Sequence, residues 1–237
     1  MNFVFDVDGT LTDSRQEINR EFANSFLEFA KTHDCYLCTG SDRVKTLEQV
    51  GEVVYYACKR VYNCNGNDVW ERGKNIYTSL WDLPEPPWKH LESRLIQSRW
   101  RKKTGWHFDK RPGLVNFSVL GRNATTKERH EYFQWDEDAR ERESIAYELN
   151  YYYGEKYEIT AVVAGETGVD IYPTGCDKSQ ILNELDRQNT IFFGDRIYEG
   201  GNDWSLAKAL PAKNVYPVEN WRQTWQILES LTSGLRL

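Results

Sequence analysis

The stretch Phe5-Asp6-Val7-Asp8-Gly9-Thr10-Leu11-Thr12, directly after Met1-Asn2-Phe3-Val4, limits what this chain can fold into more than any other. Alternation from Asn2 to Val7 reads as a short buried strand, and Gly9-Thr10 ends it in a tight turn. Two carboxylates are left at the strand's C-terminal tip, the edge where ligands bind in an open α/β sheet. Asp6 and Asp8, with one residue between them, are expected to point different ways, one as a nucleophile and the other as acid and base. Taken alone, Asp6-Val7-Asp8-Gly9 is also an ordinary acidic turn or the start of a calcium loop. A calcium loop needs further oxygen ligands at alternate positions and a closing Glu between two helices, and none follows.

At 237 residues the chain has room for one large domain or for a core carrying an insertion. Hydrophobic residues make up 40% and aromatic residues 14%, enough to bury a core. The net charge of -6 and a pI near 5.4 argue against a nucleic-acid groove, which is usually basic. Arg101-Lys102-Lys103 is a local exception, read as a solvated helix end. No apolar run reaches spanning length and the start lacks a signal-peptide pattern, so a cytoplasmic protein with no membrane partner is expected. The five cysteines (Cys35, Cys38, Cys58, Cys64, Cys176) fit reduced thiols, and no second CxxC joins Cys35 and Cys38 in a zinc site. The glycosylation patterns at Asn116 and Asn123 are idle in that compartment.

Along the chain, Ile18, Phe22, Phe26 and Phe29 recur at helical spacing up to about Lys31. Cys35 to Cys38 reads as a second strand ending in Thr39-Gly40-Ser41-Asp42, with a helix through Val44, Leu47 and Val50 behind it. Ser41 is placed either to bind phosphate before that helix or, with Asp42, to cap it. Val61 to Gly66 is a further strand and turn, and Asn67 to Tyr77 a hairpin. Proline-rich Trp81 to Pro87 marks a boundary. Beyond it, strands at Leu114 to Val119, Glu158 to Ala164 and Val169 to Tyr172 alternate with helices near Thr125 to Gln134 and Glu137 to Tyr152. Gly175-Cys176-Asp177-Lys178 opens a helix bearing Ile181, Leu182 and Leu185. Thr190 to Gly194 is a continuous apolar strand with Asp195 at its tip and Gly200-Gly201-Asn202-Asp203 after it. Alone, Lys178 is a surface lysine and the glycine pair a turn. Asn214 to Pro217 is a last strand before a helix with Trp221 and Trp225.

The string from Asp6 to Thr12 on a first strand resembles the first motif of the haloacid-dehalogenase superfamily of phosphotransferases. Ser41, Lys178, and Asp195 with Asn202 and Asp203 follow in order and look like its second, third and fourth motifs. The resemblance implies an α/β Rossmannoid core with a parallel sheet, residues 1–82 and 174–237, and an inserted α+β cap of the C2 type at 83–173. It implies that Asp6 becomes an aspartyl-phosphate and that Asp8 serves the sugar oxygen as acid and base. Mg²⁺ would be held by Asp6, Asp195 and the backbone carbonyl of Asp8, with Asp203 and Asn202 in support and Lys178 as a second positive charge.

Arg111-Pro112-Gly113-Leu114-Val115-Asn116-Phe117-Ser118-Val119-Leu120-Gly121-Arg122, then Lys127-Glu128-Arg129, is similar to the cap segment of eukaryotic-type phosphomannomutases. Arg15 and Asp170-Ile171-Tyr172-Pro173 fit the same family. The resemblance implies a mutase that interconverts mannose 6-phosphate and mannose 1-phosphate through a hexose 1,6-bisphosphate. Its substrate contacts would be Arg15, Arg111, Arg122, Arg129 and Asp170, and a homodimer through the caps is implied. The alternative is a sugar-phosphate phosphatase with the same core, in which water takes the phosphoryl group. Three positions depart from the family pattern: Gly168 where it has serine, Cys176 where it has tryptophan, and Thr39 where it has glycine.

Overall fold

The computed structural model describes residues 1–232. The first unit opens with β1 (Asn2–Phe5), α1 (Arg20–Ala30), β2 (Asp34–Cys38), α2 (Arg43–Ala57), β3 (Arg60–Asn63) and a hairpin of β4 (Asp68–Glu71) and β5 (Lys74–Thr78). The inserted unit carries α3 (Glu85–Gln97), β6 (Phe108–Arg111), β7 (Leu114–Phe117), α4 (Thr126–Ala139), α5 (Glu141–Leu149), α6 (Glu155–Tyr157), β8 (Ile159–Ala164) and β9 (Gly168–Pro173). The chain returns to the first unit with β10 (Thr190–Gly194), α7 (Trp204–Ala209), β11 (Val215–Pro217) and α8 (Trp221–Thr232). The two compact units divide at Ser79/Leu80 and Gly175/Cys176, where the sequence reading put the divisions at 82/83 and 173/174. Among the described residues no helix is long and apolar enough to cross a membrane.

In the first unit seven strands lie in the order β11-β10-β1-β2-β3-β4-β5, with the five from β11 to β3 parallel. β1 and β10 are central and nearly wholly apolar because both faces of the sheet are covered. Phe22, Phe26 and Phe29 bury one stripe of α1 beneath the sheet, and Phe22 stacks on Trp221 and Trp225 of α8. Full burial of each such ring contributes on the order of 2–3 kcal/mol. Asn19 starts α1 by accepting hydrogen bonds from the amides of Glu21 and Phe22. Because β1, β2 and β10 run in parallel, Asp6, Thr39 to Ser41 and Asp195 all emerge at one edge.

The inserted unit is an antiparallel sheet in the order β6-β7-β9-β8 with its own apolar core, centred on Leu91, Phe117, Tyr132, Leu149 and Ile171. Its helices differ from the sequence reading. The proline-rich stretch starts α3, since Pro86 and Pro87 sit in the first turn where no amide partner is needed. The region from Glu137 to Tyr152 is not one helix: α4 runs on to Ala139, Arg140 turns left-handed, and α5 begins anew. Asp136 causes the restart, accepting the amides of Glu141 and Arg142 on Oδ1 while Oδ2 takes the Arg142 Nε at 2.6 Å. In the first unit, Lys178–Asn183 is a 3₁₀ turn rather than the expected α-helix, and α7 went unforeseen.

Asp136 and Arg142 are both almost fully enclosed. Removing one partner of such a pair leaves a buried charge, so Asp136→Ala is expected to destabilise the protein by roughly 3–5 kcal/mol, read as a lowered urea midpoint.

Candidate active site

The strand does not separate the two aspartates. Side chains two apart on a strand share a face, but β1 ends at Phe5, so Asp6 and Asp8 lie on the loop that follows. The Asp6 amide donates to the carbonyl of Phe193 at 2.9 Å, which ties the loop to the end of β10. Asp6 turns inward, 2% exposed, and its Oδ1 accepts from Lys178 Nζ at 2.5 Å. Asp8 turns elsewhere: its Oδ1 accepts the Arg15 amide and the Gln49 side-chain amide, each at 2.9 Å.

Lys178 is no surface lysine. It is 0% exposed, and its ammonium also donates to Asp203 Oδ1 at 2.6 Å. Burial alone would push that ammonium toward losing its proton, but Asp203 and Asp6 override it and hold its pKa up. Burial raises the Asp6 carboxyl well above its ordinary value, against the pull of Lys178, and Asp203 and Asp195 add to the rise. Burial likewise lifts Asp195 to about 6, with Asp203 the next cause. Asp203 Oδ2 accepts the amide of Arg196, which anchors the loop after β10.

Oxygens of Asp6, Asp195 and Asp203 all lie within 4.8 Å of one another. Three carboxylates face one buried ammonium, and Arg196 Nε at 3.7 Å from Asp195 is partly solvated, so the cluster is short of positive charge. Asp6 Oδ2 and Asn202 Oδ1 are buried without a hydrogen-bond partner among the described residues. Hard oxygen donors, excess negative charge and orphaned acceptors together fit a divalent cation of the magnesium kind. The Asp8 carboxylate stands outside this group, leaving only its backbone carbonyl for such a role.

A cavity of about 420 Å³ is lined in part by Asp8, Arg15, Ser41, Lys45, Glu48 and Gln49. Ser41 is oriented from both sides: its amide donates to Thr39 Oγ1 and its carbonyl accepts from the Cys64 amide. Asp42, not Ser41, caps α2 by accepting the Lys45 amide. Gln49 is held at the cavity because α2 breaks at Gly51, whose φ of 74° suits glycine. The freed carbonyl of Gln49 accepts from the Ile18 amide at 2.7 Å, and its side chain reaches both Asp8 and Thr12.

In the inserted unit Arg111, Arg122 and Asp170 come together, through two residues the sequence reading had not singled out as contacts. Asp109 Oδ2 accepts from Arg111 Nη2 at 2.7 Å and lies 3.0 Å from Arg122 Nη2. Asn116 Oδ1 accepts from Arg122 Nη1 at 2.9 Å, and its Nδ2 donates to Asp170 Oδ1 at 2.6 Å. Arg129, on α4, is paired instead with Glu166.

The sequence profile of eukaryotic phosphomannomutases matches residues 22–233. The chain belongs to the eukaryotic phosphomannomutase family. A phosphomannomutase of Arabidopsis thaliana is 31% identical over 210 residues, covering 86% of this chain and 85% of its own. One from Spinacia oleracea is 30% identical over 212 residues, covering 86% and 84%. A solved haloacid dehalogenase-like hydrolase from Bacteroides thetaiotaomicron is similar in fold, with a TM-score of 0.63 at 14% identity, covering 97% of this chain and 98% of its own. Gln49 and Asn116, both missed as site residues, lie eight residues past Ser41 and within the arginine-bearing family segment. Only an expected helix register or strand face could have drawn attention to them.

Asp195 binds a proton near pH 6 in the folded protein but near 3.8 when exposed, so between these values the folded state holds the extra proton. Its contribution to stability therefore falls as pH rises through that window. In cation-free protein, urea midpoints at about pH 5 and about pH 7 are expected to show a smaller loss for Asp195→Asn than for wild type.

Proposed function

We propose that this chain is a magnesium-dependent phosphomannomutase that moves a phosphoryl group between the C6 and C1 oxygens of mannose through a phosphorylated Asp6. The observation that carries this reading is the ammonium of Lys178 held between Asp6 and Asp203 beside Asp195. That arrangement presents an enclosed carboxylate to a phosphate dianion with positive charge already in place, which phosphoryl transfer requires.

In the first half-reaction a carboxylate oxygen of Asp6 forms a bond to phosphorus as the bond from phosphorus to the sugar oxygen breaks. Asp8 gives its proton to the departing oxygen and takes one from the next hydroxyl when the group is returned. Gln49 and the Arg15 amide keep the Asp8 carboxyl aside from Lys178 for that task. Ser41 and Lys178 hold the equatorial oxygens of the transferred group. Mg²⁺, when bound by Asp6, Asp195 and the Asp8 carbonyl with Asp203 and Asn202 in support, supplies further charge neutralisation there.

The forked guanidinium groups of Arg111 and Arg122, with Arg129, suit the phosphate that is not being transferred, and Arg15 lies near Asp8 for the same class of contact. Asp170 accepts from sugar hydroxyls. A hexose 1,6-bisphosphate supplies the first phosphoryl group, since the cycle needs Asp6 to be charged before a monophosphate can be isomerised. Work in a reducing cytoplasm, with five unpaired thiols, and a homodimer through the inserted units belong to the same reading.

Phosphorus NMR of mannose 1-phosphate incubated with the protein, Mg²⁺ and the bisphosphate is expected to show mannose 6-phosphate without matching release of inorganic phosphate. Steady phosphate release with no isomer would mean that water is the acceptor and the enzyme is a phosphatase. Asp6→Asn is expected to abolish turnover. Gln49→Leu should lower kcat about tenfold or more with KM little changed, as loss of a hydrogen bond to a charged catalytic group does.

A further inference from the structure

The register of the inserted sheet puts three polar side chains in one row. Asp109 of β6 pairs with Asn116 of β7, and Asn116 pairs with Asp170 of β9, so all three face the same side. Asn116 is 5% exposed and stands at the centre. Its carbonyl oxygen accepts from Arg122 at 2.9 Å while its amide donates to Asp170 at 2.6 Å. Among side chains of this size only a primary amide can accept from a guanidinium and donate to a carboxylate at once. Aspartate could keep the arginine but would repel Asp170, and leucine could do neither.

Gly168, the first residue of β9, explains how the amide fits. Its backbone needs no left-handed φ, so conformation does not require glycine there. Space does: a Cβ at 168 would stand 2.5 Å from Asn116 Nδ2 and 3.0 Å from its Oδ1. Any side chain at 168 would push the amide off the line between Arg122 and Asp170. Among the described residues, Asp170 Oδ2 accepts no hydrogen bond and is left for a ligand hydroxyl.

We propose that Asn116 is the positioning residue of the sugar-phosphate site, setting Arg122 and Asp170 in mutual register, and that Gly168 is the vacancy it depends on. The proposal rests on the hexose-phosphate reading given above. It assigns hexose selectivity to a pair of positions that make no charge of their own: Arg122 addresses a phosphate, Asp170 a hydroxyl, and Asn116 fixes the distance between them. Sugars whose hydroxyl and phosphate differ in spacing are discriminated by that fixed distance.

The test is a double-mutant cycle in the full-length protein with Mg²⁺ and bisphosphate, measuring kcat and KM for mannose 1-phosphate and glucose 1-phosphate. Asn116→Ala and Gly168→Ala are each expected to raise KM for the preferred hexose about tenfold or more, with kcat changed less and selectivity between the two sugars reduced. Because both act through one amide, Gly168→Ala should add less than about a further twofold in the Asn116→Ala background. Asn116→Gln, which keeps the amide on a longer stem, should not restore wild-type KM, whereas a site needing only a generic polar group would recover. Additive losses, or a KM for Asn116→Ala within about twofold of wild type, overturn the proposal while leaving the mutase reading intact. A wild-type protein that turns over neither sugar phosphate overturns both.

Discussion

A lysine with no access to water, clasped by two carboxylates, is the interaction on which the rest of this molecule depends. Lys178 enters the first unit on a short 3₁₀ turn, far along the chain from Asp6, and its ammonium closes a bridge between the loop after β1 and the loop after β10. Each partner is unaffordable alone: an unpaired ammonium or carboxylate at that depth would lose or gain a proton instead of remaining charged. Beside Asp203 and Asp6 the ammonium keeps its proton, and the excess of acidic groups at Asp6, Asp195 and Asp203 over cations makes the locus receptive to a hard cation. In the proposed function, that electrostatic imbalance prepares a carboxylate to meet a phosphate.

The parallel sheet explains why this is possible. β1, β2 and β10 lie side by side with a common direction, so three loops distant in sequence end at one edge. Apolar residues on both sheet faces pin those strands and hence the loop origins. The inserted unit solves a different problem with antiparallel strands, where residues directly opposite each other share a face. There a row of polar side chains joins two arginines to an aspartate through one amide. One cluster concentrates charge on a single point, while the other spreads complementary groups along a row.

Much of this was legible in the residues. The strand and turn around Asp6 and Asp8, the apolar run before Asp195 and the order of Ser41, Lys178 and Asp203 announced both the sheet and its reactive edge. The proline-rich stretch was read only as a boundary and the helix that begins inside it was not foreseen, because two prolines in the first turn of α3 look identical in sequence to prolines between elements. The left-handed break at Arg140 was hidden by continuous helical periodicity on either side, since its cause is the side chain of Asp136 folding back on the next turn. Gln49 and Asn116 escaped notice because amides are common on surfaces, and nothing local distinguishes one that is buried and doubly bonded.

By itself, then, the order of residues determined which groups could do chemistry and on which strand tips they would stand, because periodicity and turn residues act over a few positions. Only the tertiary structure decided the partners: that Lys178 is sealed between Asp6 and Asp203, that Asp8 answers to Gln49, and that Gly168 leaves its space to Asn116. Hydrogen bonds and ion pairs depend on distances of a few tenths of an ångström between segments far apart in the chain, and packing alone sets those distances.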